Sequence, residues 1–144
     1  MTCGELMTPS PTCAQASHSV ADAAELMKRE DVGLLPVVRD EGTHLIGVLT
    51  DRDIVMQVVA AGRDPRTTRV EDAMTSDPLA CRSDEPLETV MELMATHQVR
   101  RMPIVDDNGD VVGIVAQADL ATRLRDPREA GEVVQAISEP EAGV

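Results

Sequence analysis

The chain says the same thing twice. Val32-Gly33-Leu34-Leu35-Pro36-Val37-Val38, a polar loop and Leu45-Ile46-Gly47-Val48-Leu49-Thr50-Asp51-Arg52-Asp53-Ile54-Val55 form the first copy. Val99-Arg100-Arg101-Met102-Pro103-Ile104-Val105, a second polar loop and Val111-Val112-Gly113-Ile114-Val115-Ala116-Gln117-Ala118-Asp119-Leu120 form the second. Pro36 and Pro103 stand 67 residues apart, as do Met7-Thr8 and Met74-Thr75, and Leu26-Met27 and Leu93-Met94. Gly47 to Gly113 and Asp53 to Asp119 are 66 apart, so the first copy carries one extra residue in the loop between its strands. A whole supersecondary unit is duplicated, and each residue has to be read against its counterpart.

Within a copy the order of elements follows from local signals. Cys3 to Met7 and Val70 to Met74 are short leader turns that deliver the chain into its repeat, each followed by a Pro-containing stretch that reads as extended or turned. Ser19 with Asp22 three residues on has the form of a capping box, and Val20, Ala23, Ala24 and Met27 make one buried helical stripe. In the second copy Pro86 takes the first helical position and Leu87, Val90, Met91 and Met94 repeat the stripe, which assigns these Met to packing. A strand, a hairpin loop and a second strand follow, with Arg39 to His44 as one loop and Asp106 to Asp110, containing Asn108-Gly109, as the other. The closing helix spans about Asp51 to Ala61, ended by Gly62, and about Gln117 to Arg125 before Pro127. The organisation is therefore repeat 1 over 1–62, a polar linker over 63–69, repeat 2 over 70–125 and an acidic tail over 126–144, in which Val133, Val134 and Ile137 have helical spacing.

Composition narrows what such a pair can do. With no Phe, Tyr or Trp the core must be built from Val, Leu, Ile, Ala and the 8 Met, the last filling irregular gaps. A formal net charge of −13 disfavours DNA and anionic membranes as partners, and a phosphate ligand would need a locally basic pocket. Cys3, Cys13 and Cys81 lack Cys-x-x-Cys spacing, His18, His44 and His97 are widely separated, and no apolar leader or spanning run is present. The expectation is a reduced cytoplasmic protein with no metal site. No Gly-x-Ser-x-Gly elbow, P-loop, His-Glu-x-x-His or redox Cys pair occurs, so no catalytic residues are assigned and an enzyme is not expected.

A strand carrying Pro-Val-Val, a turn, and a Gly-hydrophobic-hydrophobic-Thr-x-x-Asp strand-to-helix junction, in tandem, resemble a pair of CBS domains from about Cys3 to Leu124. Thr50-Asp51-Arg52-Asp53-Ile54-Val55 and His97-Gln98-Val99-Arg100-Arg101 are most similar to small stand-alone actinobacterial members that include hibernation response proteins. The resemblance implies an α/β (α+β) fold of two βαββα repeats related by a pseudo-two-fold axis, with the sheets packed together and helices outside. It also implies a homodimer joined through an apolar helical face.

Thr50 and Asp53 first read as a helix cap, since both satisfy backbone N–H groups at a helix start. The same junction is suited to ribose or phosphate oxygens, and the resemblance assigns the acidic residue to ribose hydroxyls and the Thr to ribose or phosphate. In the second copy Ala116 replaces Thr50, removing a cap worth on the order of 1 kcal/mol, while Asp119 remains. Arg100 and Arg101 stand where the first copy has Gly33 and Leu34. They are either solvated, or paired with acids such as Asp106, or guanidinium forks for phosphate. Carried over from the family, Thr50 and Asp53 face Arg100 and Arg101 in one competent cleft, and Ala116 and Asp119 face Gly33 and Leu34 in a degraded one. The function so implied is a regulatory or sensor module for AMP, ADP, ATP or S-adenosylmethionine, with no cofactor required and an unidentified protein as a further partner. The alternative is a ligand-free dimeric scaffold of the stress or dormancy type.

Overall fold

A computed structural model describes residues 1–123. The tail with Val133, Val134 and Ile137, and the expected helix end at Arg125, lie outside the described residues. The elements are α1 (Cys3–Leu6), β1 (Thr8–Pro9), β2 (Ala14–Gln15), α2 (Val20–Glu30), β3 (Leu34–Val38), β4 (Leu45–Thr50) and α3 (Asp51–Ile54), which continues as a π-helical turn over Val55–Val59. They are followed by α4 (Val70–Ala73), β5 (Thr75–Ser76), β6 (Cys81–Arg82), α5 (Leu87–His97), β7 (Arg101–Val105), β8 (Val111–Ala116) and α6 (Gln117–Arg123). The result is a mixed α+β protein with two four-stranded sheets, ordered β2-β3-β4-β5 and β1-β8-β7-β6.

The duplication is visible in the backbone itself. Ser10 and Asp77, 67 residues apart, both take positive φ, at 50° and 51°, and so do Asp31 and Gln98, at 54° and 55°. The second pair are the left-handed caps of α2 and α5, each returning its N–H to the carbonyl of Met27 or Met94. A non-glycine residue there is mildly strained, and helix-end hydrogen bonding offsets the cost. The extra residue of the first copy leaves its mark beside the loop, where the register shifts between Val37, opposite Gly47, and Val38, opposite Leu45.

The helix stripes form as their period predicts, with two differences. Val20, Ala23 and Met27 are buried on α2 and Leu87, Val90 and Met94 on α5, but Ala24 is exposed and Met91 only partly buried. The buried arc is thus narrower than four residues. Pro86 is extended (φ −61°, ψ 147°) and lies just before the helix rather than in its first turn. The Asp51–Ala61 helix is α-helical only to Ile54 before the π turn, and Gly62 closes it at φ +72°. The linker is structured: Val20 N–H donates to the Thr68 carbonyl (2.9 Å) and Ala21 N–H to that of Pro65 (2.9 Å). It therefore satisfies two of the donors that the start of α2 leaves open.

The leaders do not stay with the repeats they precede. The chain divides into two compact units, one of Met1–Pro11, Leu79–Asp107 and the stretch from Val112, the other of Thr12–Pro78 and Asn108–Val111. In the first unit, Cys3 and Leu6 of α1 are buried with Cys81, Leu87, Val90, Met94, Met102, Ile104, Val115 and Leu120. Strand β1 pairs antiparallel with β8, Thr8 opposite Ile114. In the second unit, Val70 and Ala73 of α4 are buried with Ala14, Val20, Ala23, Leu35, Val37, Leu49 and Val58, and β5 pairs antiparallel with β4. Each leader completes the core and the sheet edge of the other repeat.

The leaders also explain two conserved-spacing glycines of the duplication. A Cβ on Gly47 would stand 2.5 Å from Met74 Sδ and 2.8 Å from the Thr75 carbonyl oxygen, whereas for one on Gly113 the three nearest atoms all belong to the side chain of Met7. Backbone cannot move aside as a thioether can. Gly47→Ala is therefore expected to lose about 1–3 kcal/mol, and Gly113→Ala less, in matched urea unfolding curves followed by backbone circular dichroism. Equal losses would mean that the β5 backbone shifts freely.

Candidate functional site

Two strand-to-helix junctions, one per repeat, carry the candidate residues. In the first, β4 delivers Thr50 as the N-cap of α3 in extended conformation (φ −108°, ψ 162°). Thr50 Oγ1 accepts from the Asp53 N–H at 3.0 Å, and Asp53 Oδ2 accepts from the Thr50 N–H at 3.0 Å. This is the reciprocal capping box that Thr-x-x-Asp spacing encodes. The Asp51 N–H donates to the Gly33 carbonyl at 2.9 Å, tying the helix start to the entry of β3.

Two participants here were missed from the sequence. The Thr75 hydroxyl lies 3.4 Å from both carboxylate oxygens of Asp53, and the Asp51 carboxylate leans over Gly33, where a Cβ would stand 3.0 Å from Oδ2. The signal for Thr75 was the recurrence of Met-Thr at the repeat spacing. The junction thus gathers two carboxylates and two hydroxyls, an acceptor-rich surface with Asp53 and Thr50 half-buried.

The second junction has the same frame and the opposite charge. The Gln117 N–H donates to the Arg100 carbonyl at 2.8 Å, the counterpart of the Asp51–Gly33 bond. The Ala116 N–H donates to Asp119 Oδ2 at 3.0 Å, so Asp119 keeps its half of the capping box although Ala116 has no hydroxyl to return. Asp119 therefore does more than place charge in the first turn. Arg100 is exposed and Arg101, the first residue of β7, is half-buried. Where the first junction has Gly33, Asp51 and Asp53, the second has Arg100, Gln117 and Asp119, with Arg101 beside them. Thr50 and Asp53 belong to one compact unit, and Arg100, Arg101 and Asp119 to the other.

Beyond the junctions, Val55, Met56 and Val59 on the π-helical turn are 53%, 51% and 65% exposed, while Val58 between them is fully buried. These are large apolar side chains in one short stretch. Among the described residues no three His, Cys, Asp or Glu side chains are grouped to hold a metal ion, and no helix is long and apolar enough to cross a membrane.

This geometry can be set beside known proteins. The CBS domain pattern matches residues 3–60 and 70–126. The CBS domain-containing protein YhcV of Bacillus subtilis is 40% identical over 134 residues, covering 93% of each chain. Hypoxic response protein 1 of Mycobacterium tuberculosis is 34% identical over 142 residues, 98% of this chain and 96% of that one. Its crystal structure, with two coordinated zinc ions, superposes with a TM-score of 0.79 over 86% of this chain and 99% of that one, at 34% identity. CBSX2 in complex with AMP gives 0.71 at 30% identity, over 92% and 97%. The CBS pair of MJ0100 in complex with 5'-methylthioadenosine and S-adenosylmethionine gives 0.73 at 27%, over 85% and 98%. With both repeats matched across nearly the whole described chain, this protein belongs to the CBS-domain family as a tandem CBS pair.

Proposed function

We propose that the chain is a cytoplasmic regulatory or sensor module, not an enzyme, that binds an adenosine-containing ligand through Thr50, Asp53, Arg100, Arg101 and Asp119. The observation that carries this reading is the inverted charge of two otherwise equivalent junctions. One offers carboxylate and hydroxyl acceptors for ribose hydroxyls, and the other offers two guanidiniums for an anionic group. The AMP complex of CBSX2 and the S-adenosylmethionine complex of MJ0100 support adenosine as the ligand core. In this proposal the chain takes one ligand, with Thr50 and Asp53 as acceptors and Arg100 and Arg101 as donors, while Ala116 and Asp119 mark the degraded junction. Exposed Val55, Met56 and Val59 support a homodimer as the working form. The ligand then acts by its differential affinity for two packings of that dimer, and any regulated protein is a separate chain.

A second reading has an observation of its own. The capping box already engages Thr50 and Asp53, so both are explained without a ligand, and the protein is then a ligand-free dimeric scaffold. Calorimetric melting of wild type and Asp53→Ala with AMP, ATP and S-adenosylmethionine separates the two. A ligand at roughly 100 times its Kd adds about 2.7 kcal/mol, a shift of several degrees, which the variant is expected to lose. A lower melting point for the variant with no ligand shift in either protein leaves Asp53 a cap, worth about 1 kcal/mol. Saturation at two equivalent ligands per chain overturns the single competent site, and a monomer mass at micromolar concentration overturns the dimer.

A further inference from the structure

All three cysteines are thiols, and two of them are buried in the same core. Cys3 on α1 and Cys81 on β6 are 0% and 1% exposed and lie in one core cluster. The pair is held in register by backbone bonds on both sides. The Cys3 N–H donates to the Glu85 carbonyl at 3.0 Å, the Gly4 N–H to Ser83 at 2.9 Å, and the Leu87 N–H to Met1 at 2.9 Å. The Cys3 thiol also points at the Pro86 carbonyl, 3.7 Å away. Neither sulfur has a part in the junctions described above.

We propose that Cys3 and Cys81 form a reversible oxidation site, at which a peroxide converts the thiol pair into an intrachain disulfide that fastens α1 to the second repeat. The balance is that of two successive displacements. One thiol, deprotonated, attacks a peroxide oxygen, the O–O bond breaks, and a sulfenic acid and water result. The second sulfur then attacks the sulfenic sulfur, the S–O bond breaks, the S–S bond forms and a second water leaves with the remaining proton. Two thiols are oxidised by two electrons and one hydrogen peroxide is reduced to two waters.

The closed leader sets the rate. Burial raises the Cys3 thiol, with Glu85 adding to it, and burial pushes the Cys81 thiol up to about 12. With α1 seated the nucleophilic thiolate is therefore scarce and peroxide has no access. When α1 lifts, both sulfurs meet water and oxidant, and reseating brings them into contact for the second step. Oxidation thus records how often the leader opens, and the disulfide then closes a loop of more than half the chain.

The test treats the purified full chain with hydrogen peroxide and compares wild type with Cys13→Ser, which removes the half-buried third thiol. Both are expected to lose the mass of two hydrogens within one chain, to yield a peptide joining Cys3 to Cys81, and to react faster in sub-denaturing urea. The melting temperature is expected to rise on the order of 10 °C and to fall back with dithiothreitol. A map in which Cys3 and Cys81 remain thiols while Cys13 takes up oxygen overturns the proposal, as does cross-linking only between chains. Wild-type mapping stands even if Cys3→Ser fails to fold.

Discussion

Removal of residues 1–11 is expected to unfold the unit that contains the second repeat while leaving the first-repeat unit protected. The leader looks expendable from its position at the start of the chain, but two of its side chains are among the most buried in the molecule. Cys3 is 0% exposed and Leu6 1%. Losing a Leu-sized core side chain alone costs about 2–5 kcal/mol, because the hole is only partly refilled. Deletion also strips β1 from β8 and the Met1 carbonyl from the Leu87 N–H. The sum exceeds about 5 kcal/mol, comparable to the whole stability of a small domain. Amide exchange by mass spectrometry reads the outcome segment by segment. Protection is expected to vanish from α5, β7 and β8 and to persist in α2, β3 and β4, whose core draws on α4 instead. Unchanged protection throughout would make the leader an appendage and the exchange of leaders energetically empty.

That exchange was the part of the fold least legible beforehand, for a physical reason. Period and capping are local: Thr50 with Asp53 forms its reciprocal box in full within three residues, while Ser19 with Asp22 forms one half of it, the Asp22 N–H donating to Ser19 Oγ. The buried helical faces were legible for the same reason, apart from Ala24, whose exposure depends on how wide an arc the neighbouring elements cover. A two-residue strand such as Thr8–Pro9 has no period at all, so nothing in it says which sheet edge it completes. The same holds at the site. Thr50, Asp53 and the loss of the hydroxyl at Ala116 were readable from the repeat alignment. The approach of Thr75 to Asp53 was not, because it is brought by α4 and β5, elements that precede the second repeat yet serve the first. The repeat alignment also exposed the charge inversion between Gly33 and Arg100, and the backbone bonds to Asp51 and Gln117 show that the two stand on one frame.

Met94→Ala is expected to be the most costly single substitution in the core, at about 2–5 kcal/mol, with Met94→Leu costing less than about 1.5 kcal/mol. A chain without aromatic rings has no broad, rigid side chain to span the middle of a core. Unbranched Met does this instead, threading its thioether among smaller groups. Met94 is fully buried with Val90, Met102, Ile104, Val115 and Leu120, and it meets the same cluster that receives Cys3 and Leu6 from the leader. Its counterpart Met27 keeps 7% exposure, so its void opens toward solvent and its neighbours can settle into it. Met27→Ala is accordingly expected to lose less. Urea unfolding followed by backbone circular dichroism measures both, since no Trp or Tyr reports on the core. A Met94→Ala loss no larger than that of Met27→Ala would mean that the surrounding Val and Ile collapse onto the void. In that case the leader, rather than Met94, would be the keystone of the second core, and a combined leader and Met94 variant would lose no more than the leader deletion alone.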